Sequence, residues 1–156
     1  MASRNNLVIE NAELMWGSYK NFSGRATKYN RQGVKNFCLI IPEEQMAMQM
    51  KEEGWNVKIR APRTDDDLPV YYISVNVSYG NDYFGDPKVV RMTSRTKVEL
   101  TEDTIGQLDE DEILNADVVI RPHYSTSDDG ETRIKGYLKE MYVTVQDSLS
   151  DKYTDI

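Results

Sequence analysis

The sequence predicts a small, mainly β, mostly antiparallel barrel with one isolated helix. Three observations carry that reading. About seven short runs alternate apolar and polar residues and are rich in β-branched and aromatic side chains. One segment, near residue 42, has clear helix punctuation, and it follows the third strand signal. Strands and helices do not alternate in the rhythm of a parallel βαβ sheet. At 156 residues the chain reads as one domain, able to bury about two-thirds of the surface it exposes when unfolded.

The first strand is expected over Leu7–Trp16 (LVIENAELMW). A hairpin is expected next, with arms Phe22–Tyr29 and Val34–Ile41 about the turn-rich Asn30-Arg31-Gln32-Gly33. In its second arm Phe37, Leu39 and Ile41 share one face. Residues 42–54 (PEEQMAMQMKEEG) form the helix: Pro42 suits its first position, Glu43 and Glu44 complement the N-terminal dipole, and Gly54 caps its end. Met46, Met50 and Ala47 make a core-facing stripe.

Trp55–Arg60 alternates, with Trp55, Val57 and Ile59 inward and Lys58 and Arg60 outward. Val70–Tyr79 is the strongest strand; Tyr71, Ile73, Val75, Val77 and Tyr79 face the core, Tyr72, Ser74, Asn76 and Ser78 the other side. Lys88–Met92 is a short strand, and Thr101–Leu114 holds a short helix begun by Thr101. A second hairpin joins Asp117–Tyr124 to Thr132–Gln146 about Ser127-Asp128-Asp129-Gly130.

Charge is unevenly distributed. The whole chain has a formal net charge of −7, yet residues 1–63 carry 10 Lys/Arg against 6 Asp/Glu. Residues 101–156 carry 5 against 14, and no acid occurs between Glu13 and Glu43. Such asymmetry suits a polyanion-binding face joined to an acidic end. No apolar run approaches the ~20 residues of a membrane span. The opening MASRNNLVIE lacks signal-peptide order, and the single Cys38 excludes an internal disulfide framework and a Cys-based zinc cage. A soluble protein of a cell's interior is expected.

Residues suited to catalysis are scarce. His123 has no nearby Cys or Ser partner and reads as a surface or structural residue, and Cys38 as a plain small side chain. No glycine-rich phosphate loop precedes a helix. Asp65–Asp67 and Asp109–Glu112 raise the alternative of a metal-dependent nuclease, but consecutive carboxylates diverge, and solvated acidic loops are the expectation. A second alternative is an acidic DNA mimic that inhibits a DNA-binding enzyme; the cationic first half weighs against it. The expectation is a non-enzyme without cofactor or metal.

The segment 20–35 (KNFSGRATKYNRQGVK) carries five bases, Lys20, Arg25, Lys28, Arg31 and Lys35, interleaved with Phe22 and Tyr29. A positive groove set with aromatic platforms is what single-stranded nucleic acid requires, because its phosphates and base faces are both exposed. Lys58, Arg60 and Arg91 extend the cationic set, and Asn76 shares the outward side of its strand. Tyr29, Tyr72, Tyr83 and Phe84 are the candidate stacking rings; Phe22, Phe37, Trp55, Tyr71 and Tyr79 are expected in the core.

The run NFSGRATKYNRQGVKNFCLII (21–41), a short helix, GWNVK (54–58), and then LDEDEILNADVVIRPHY and GYLKEMYVTV resemble phage-encoded single-stranded DNA-binding proteins of the OB-fold class. The resemblance spans about Leu7 to Val145 in order. It implies a five-stranded Greek-key barrel with additional hairpins, sequence-tolerant binding of single-stranded DNA, and a part in viral replication, recombination or repair in the cytoplasm of a bacterial host. The positions it carries over are Arg25, Tyr29, Asn30, Gly33, Lys35, Asn36, Phe37, Trp55 and Lys58. It also implies a division into a DNA-binding domain, 1–146, and an acidic C-terminal tail, 147–156. In that tail Asp151, Tyr153, Asp155 and Ile156 are the candidate contacts for replication or recombination proteins.

Overall fold

The computed structural model describes residues 6–15, 19–28, 31–61, 68–80 and 85–147. Nine strands join in one mixed sheet: β1 Leu7–Ala12, β2 Lys20–Asn21, β3 Lys35–Ile40, β4 Lys58–Arg60, β5 Val70–Val77, β6 Lys88–Met92, β7 Lys97–Leu100, β8 Ile113–Thr126 and β9 Thr132–Val145. Among the described residues the single α-helix, α1, is Glu44–Glu53, and a 3-10 helix covers Ile105–Asp109. The main path runs β1-β8-β9-β5-β3-β2. Most pairs are antiparallel, as expected, but β9 pairs in parallel with both β5 and β6.

A kink in the first strand bends this path toward closure. The register of β1 against β8 shifts between Ile9 and Ala12, where Asn11 adopts φ 51° and its N–H donates to Asp117 Oδ1 at 2.8 Å. Asn tolerates the left-handed region better than most residues, and such a bulge re-aims a strand. The chain just beyond it leaves β8 and reaches β3. Leu14 bridges Leu39, Met15 N–H donates to the Cys38 carbonyl, and Ile40 N–H to that of Glu13, both at 2.9 Å. The expected strand therefore breaks at Ala12; its end at Trp16 lies outside the described residues.

The core sits inside the curled sheet. Phe37 and Leu39 of β3, Ile73, Val75 and Val77 of β5, and Met141 and Val143 of β9 are buried together. Helix α1 closes one end with Ala47 and Met50 buried and Met46 packed against them. Its cap is Glu43, in extended conformation, so Pro42 precedes the helix rather than opening it. Gly54 ends it at φ 118°, where a Cβ would stand 2.5 Å from the Thr132 carbonyl oxygen; only glycine permits that close approach to β9. Trp55 then lies against Gly136, and a Cβ on Gly136 would stand 3.1 Å from its ring.

Three local expectations are corrected. The first hairpin arm is only the two-residue β2, because Asp109 accepts the N–H groups of Phe22 and Ser23 at 2.7 and 2.9 Å and draws that segment off β3. Phe22 is buried and stacks on Phe37 at 5.1 Å between centroids. Residues 22–28 and 31–34 instead lie outside the strands, clasped by Gly33 N–H to the Gly24 carbonyl at 2.7 Å. Ile59 is 53% exposed, since β4 is a three-residue edge strand running past the core. The short helix is 3-10 and starts at Ile105, one turn later than Thr101.

Candidate nucleic-acid interface

Alternation along β3, β5 and β9 buries one face and turns the other outward. Register aligns the outward residues: Asn36 faces Asn76, Cys38 faces Ser74, and Ile40 faces Tyr72. Across the opposite edge of β5, Lys58 lies beside Tyr72, and Tyr137 of β9 beside Asn76. Arg121 pairs with Tyr137 and His123 with Lys135, which brings β8 into the same face. Neighbouring strands stand about 4.8 Å apart, so this is a continuous strip of aromatic, amide and cationic groups.

Clefts follow the strip. One of about 330 Å³ is lined by Lys35, Asn76, Lys135 and Tyr137. A second of about 280 Å³ shares Asn76 and Lys135 with it and adds Trp55, Asn56 and Lys58. A third of about 780 Å³ shares Trp55, Asn56 and Lys135 with the second and reaches the end of α1. Acids appear only in the outer two, as Glu102 in the first and as Glu52, Glu53 and Glu131 in the third. The middle section has lysines and none of them.

Tyr72 packs edge-on against Tyr19 at 5.5 Å, and burial together with Tyr19 raises its phenol pKa. Tyr137 meets the His123 ring at 6.0 Å. Burial pushes the Cys38 thiol up as well, with Lys58 partly opposing. Asn76 donates to the Gly136 carbonyl at 3.3 Å, which orients its amide. Lys35, half-buried, donates to the Ser23 carbonyl at 3.4 Å and lines the mouth of the first cleft. A flat, positively charged and partly aromatic trough can hold an extended polyanion whose rings stack as its charges pair.

Lys58, Arg60, Tyr72 and Asn76 thus share one face, with Lys35 at its margin. Arg25, Lys28 and Arg31 are exposed, and Arg25 is fixed by paired bonds between the Asn21 amide and its backbone, both 2.9 Å. Two predicted members belong elsewhere. Arg91 is only 5% exposed and makes a two-pronged ion pair with Asp111, Nε to Oδ2 at 2.8 Å and Nη2 to Oδ1 at 3.0 Å. Lys20 donates to the carbonyls of Leu108 and Asp111 at 2.8 and 2.7 Å. Burial lowers its pKa, while Asp109, Asp111 and Glu110 oppose that shift. Asp109 and Asp111 are half-buried and taken up by these bonds while Glu110 and Glu112 are exposed, and among the described residues no three His, Cys, Asp or Glu gather to hold a metal. Tyr29, Tyr83, Phe84, Asp65–Asp67 and the tail contacts Asp151, Tyr153, Asp155 and Ile156 lie outside the described residues.

The sequence model of the phage ssDNA-binding domain family matches residues 1–156. The chain belongs to that family. Its fold is similar to the solved structure of a single-stranded DNA-binding protein from bacteriophage Enc34, a C-terminal truncation, at TM-score 0.55 and 14% identity. That match covers 95% of this chain and 94% of the other. No curated protein matches the sequence. Among the described residues no helix is long and apolar enough to cross a membrane.

Within this family member the sequence reading missed the β8–β9 contribution: Arg121, His123, Lys135 and Tyr137. Its signal was present. Ile134, Gly136 and Leu138 are buried while Arg133, Lys135 and Lys139 are exposed, the same two-residue period that exposed the outward side of β5. Arg133 lines the third cleft and makes exposed ion pairs with Asp129 and Glu131 at 4.0 and 3.8 Å.

Proposed function

We propose that this protein coats single-stranded DNA without catalysis, along the outward face of β4, β5, β9 and β8 and the start of β3 at Lys35. The observation that carries this is the alignment, by strand register, of Lys58, Tyr72, Asn76, Tyr137, Lys135 and Arg121 on one face. Membership of a phage ssDNA-binding family supports the ligand, and the similarity to the Enc34 protein supports the architecture. Stacking and phosphate neutralisation do not depend on base identity, so binding is sequence-tolerant at most positions. The setting is phage DNA replication, recombination or repair in the bacterial cytoplasm. Residues 1–146 act as the binding domain, and the acidic segment 147–156 recruits partner proteins.

Five cations border the trough: Lys35, Lys58, Arg60, Arg121 and Lys135. If each meets a phosphate, log affinity falls with log salt at a slope near −3.5, from about −0.7 per contact on single strands. Fluorescence anisotropy with a labelled oligothymidylate measures that slope. The double change Lys58→Ala, Lys135→Ala should bring it to about −2. Binding that is absent or indifferent to salt would refute the assignment.

A further inference from the structure

Backbone pairing on one edge of β5 has a gap. Val70 to Tyr72 pair with β4, and Val75 and Asn76 pair with β9. Ile73 and Ser74, between them, have no cross-strand neighbour on that edge among the described residues. β4 is held to β5 by its ladder, and the segment leading into β4 is tied to β9 by the Trp55–Ile134 bridge, with Ile134 N–H donating to the Gly54 carbonyl at 2.9 Å, so the gap has a fixed border. The opening is the middle cleft, about 280 Å³. Ser74 turns its main-chain N–H and C=O to this edge, since the Tyr71 carbonyl and those of alternate residues face β3 through bonds such as Ile41 N–H to Tyr71. A donor and acceptor without a ladder partner among the described residues are left for something to satisfy. Trp55 and Ile134 border this notch on its apolar side; Asn56, Ser74 and Asn76 give it polar edges.

We propose that the notch is a subsite for one nucleobase, turned out of the bound strand and seated edge-first between β4 and β9. The proposal rests on the single-stranded DNA reading and deepens it. A base is apolar on its faces and polar around its rim, and the notch has the same division. Lys58 and Lys135 both line it, placed for the phosphates either side of the inserted nucleotide. Asparagine offers an acceptor and a donor side by side, a pattern that matches the N6 and N7 edge of adenine. One N–H of Asn76 is engaged by Gly136, which fixes the amide plane; its Oδ1 and second N–H serve the base. The protein therefore tolerates sequence along the trough but prefers adenine at one position.

The test compares an all-thymidine oligonucleotide with one carrying a single central adenine, by anisotropy at fixed salt. The wild type should bind the second about tenfold more tightly, since a good bidentate contact discriminates by 1 kcal/mol or more. Ser74→Ile fills the notch and should abolish the difference. Asn76→Ala, on the outward and half-buried side of β5, removes the amide that reads the base, should abolish or reduce the difference, and guards against a folding failure of the first variant. Equal affinities in the wild type, or a preference that survives both substitutions, overturn the subsite while leaving salt-dependent binding to oligothymidylate intact. No binding to either oligonucleotide overturns the subsite together with the broader reading.

Discussion

Two groups of cations in this protein share their chemistry and differ in use. Lys20 and Arg91 turn toward the segment Leu108–Asp111 and are consumed there, the first by two carbonyls and the second by a carboxylate. Lys58 and Lys135 turn outward on a face whose middle section contains no acid. The difference lies in what each strand is packed against rather than in the residues themselves. An arginine on the inner side of β6 must be matched because a buried unpaired charge is very costly. A lysine on the outer side of β4 is exposed, so a polyanion can reach it. Positive charge in a sequence therefore marks a ligand face only after the acids that neutralise it have been placed.

The largest effect is expected where the matched pair is broken. Arg91 and Asp111 are 6% and 11% exposed at the side chain, and removing one partner of a buried pair typically costs about 3–5 kcal/mol. Arg91→Ala should lower the urea midpoint correspondingly, while protein still folded at low temperature binds oligothymidylate as the wild type does. The double change Arg91→Met, Asp111→Leu should recover much of the stability, since apolar replacements of a buried pair are often tolerated. A loss of DNA affinity in Arg91→Ala without loss of stability would erase the distinction between the two groups.

On the outer face the order of effects reverses. Tyr137→Ala should weaken DNA binding by about 1–3 kcal/mol if a base stacks on that ring, with little change in melting temperature. Tyr72→Ala is expected in the same range, with a small additional stability cost because its ring also packs on Tyr19. Tryptophan-fluorescence melts paired with anisotropy titrations separate the two quantities. Unchanged affinity in both variants would show that the rings are spectators and that charge alone holds the strand.

The parts of this architecture legible beforehand are those set by local chemistry. The β8–β9 hairpin carries two long alternating arms and a Ser-Asp-Asp-Gly turn, and α1 carries acids at its start and a left-handed glycine at its end. The strand β5 announces its outward side by period alone. What was not legible depends on distant residues. Nothing near Phe22 says that Asp109, 87 positions away, takes its N–H and cuts the first hairpin short. Nothing near Arg91 names Asp111. The strand β7, KVEL, is too short and too charged to stand out, and it exists because β6 offers it an edge. The outward side of β9 was readable in principle, from the same alternation that exposed β5.

The smallest effect tests the same rule from the opposite direction, with an inward polar group that is not matched. Tyr79, just past β5, has a buried hydroxyl that finds no hydrogen-bond partner among the described residues. Burial, with Asp86 and Glu102 nearby, pushes its phenol up to about 12. A neutral acid held above its unfolded pKa of about 10 binds more protons folded than unfolded as pH rises from ~10 to ~12. Its contribution to stability is therefore complete below the unfolded value and is lost as pH climbs through the folded one. Tyr79→Phe removes both the unmatched hydroxyl and this titration. At pH 8 the variant should be as stable as the wild type or slightly more so, and between pH 8 and pH 11 its urea midpoint should fall less. A variant destabilised by more than about 1 kcal/mol at pH 8 would mean that the hydroxyl has a partner after all, and that inward polar groups here are matched without exception.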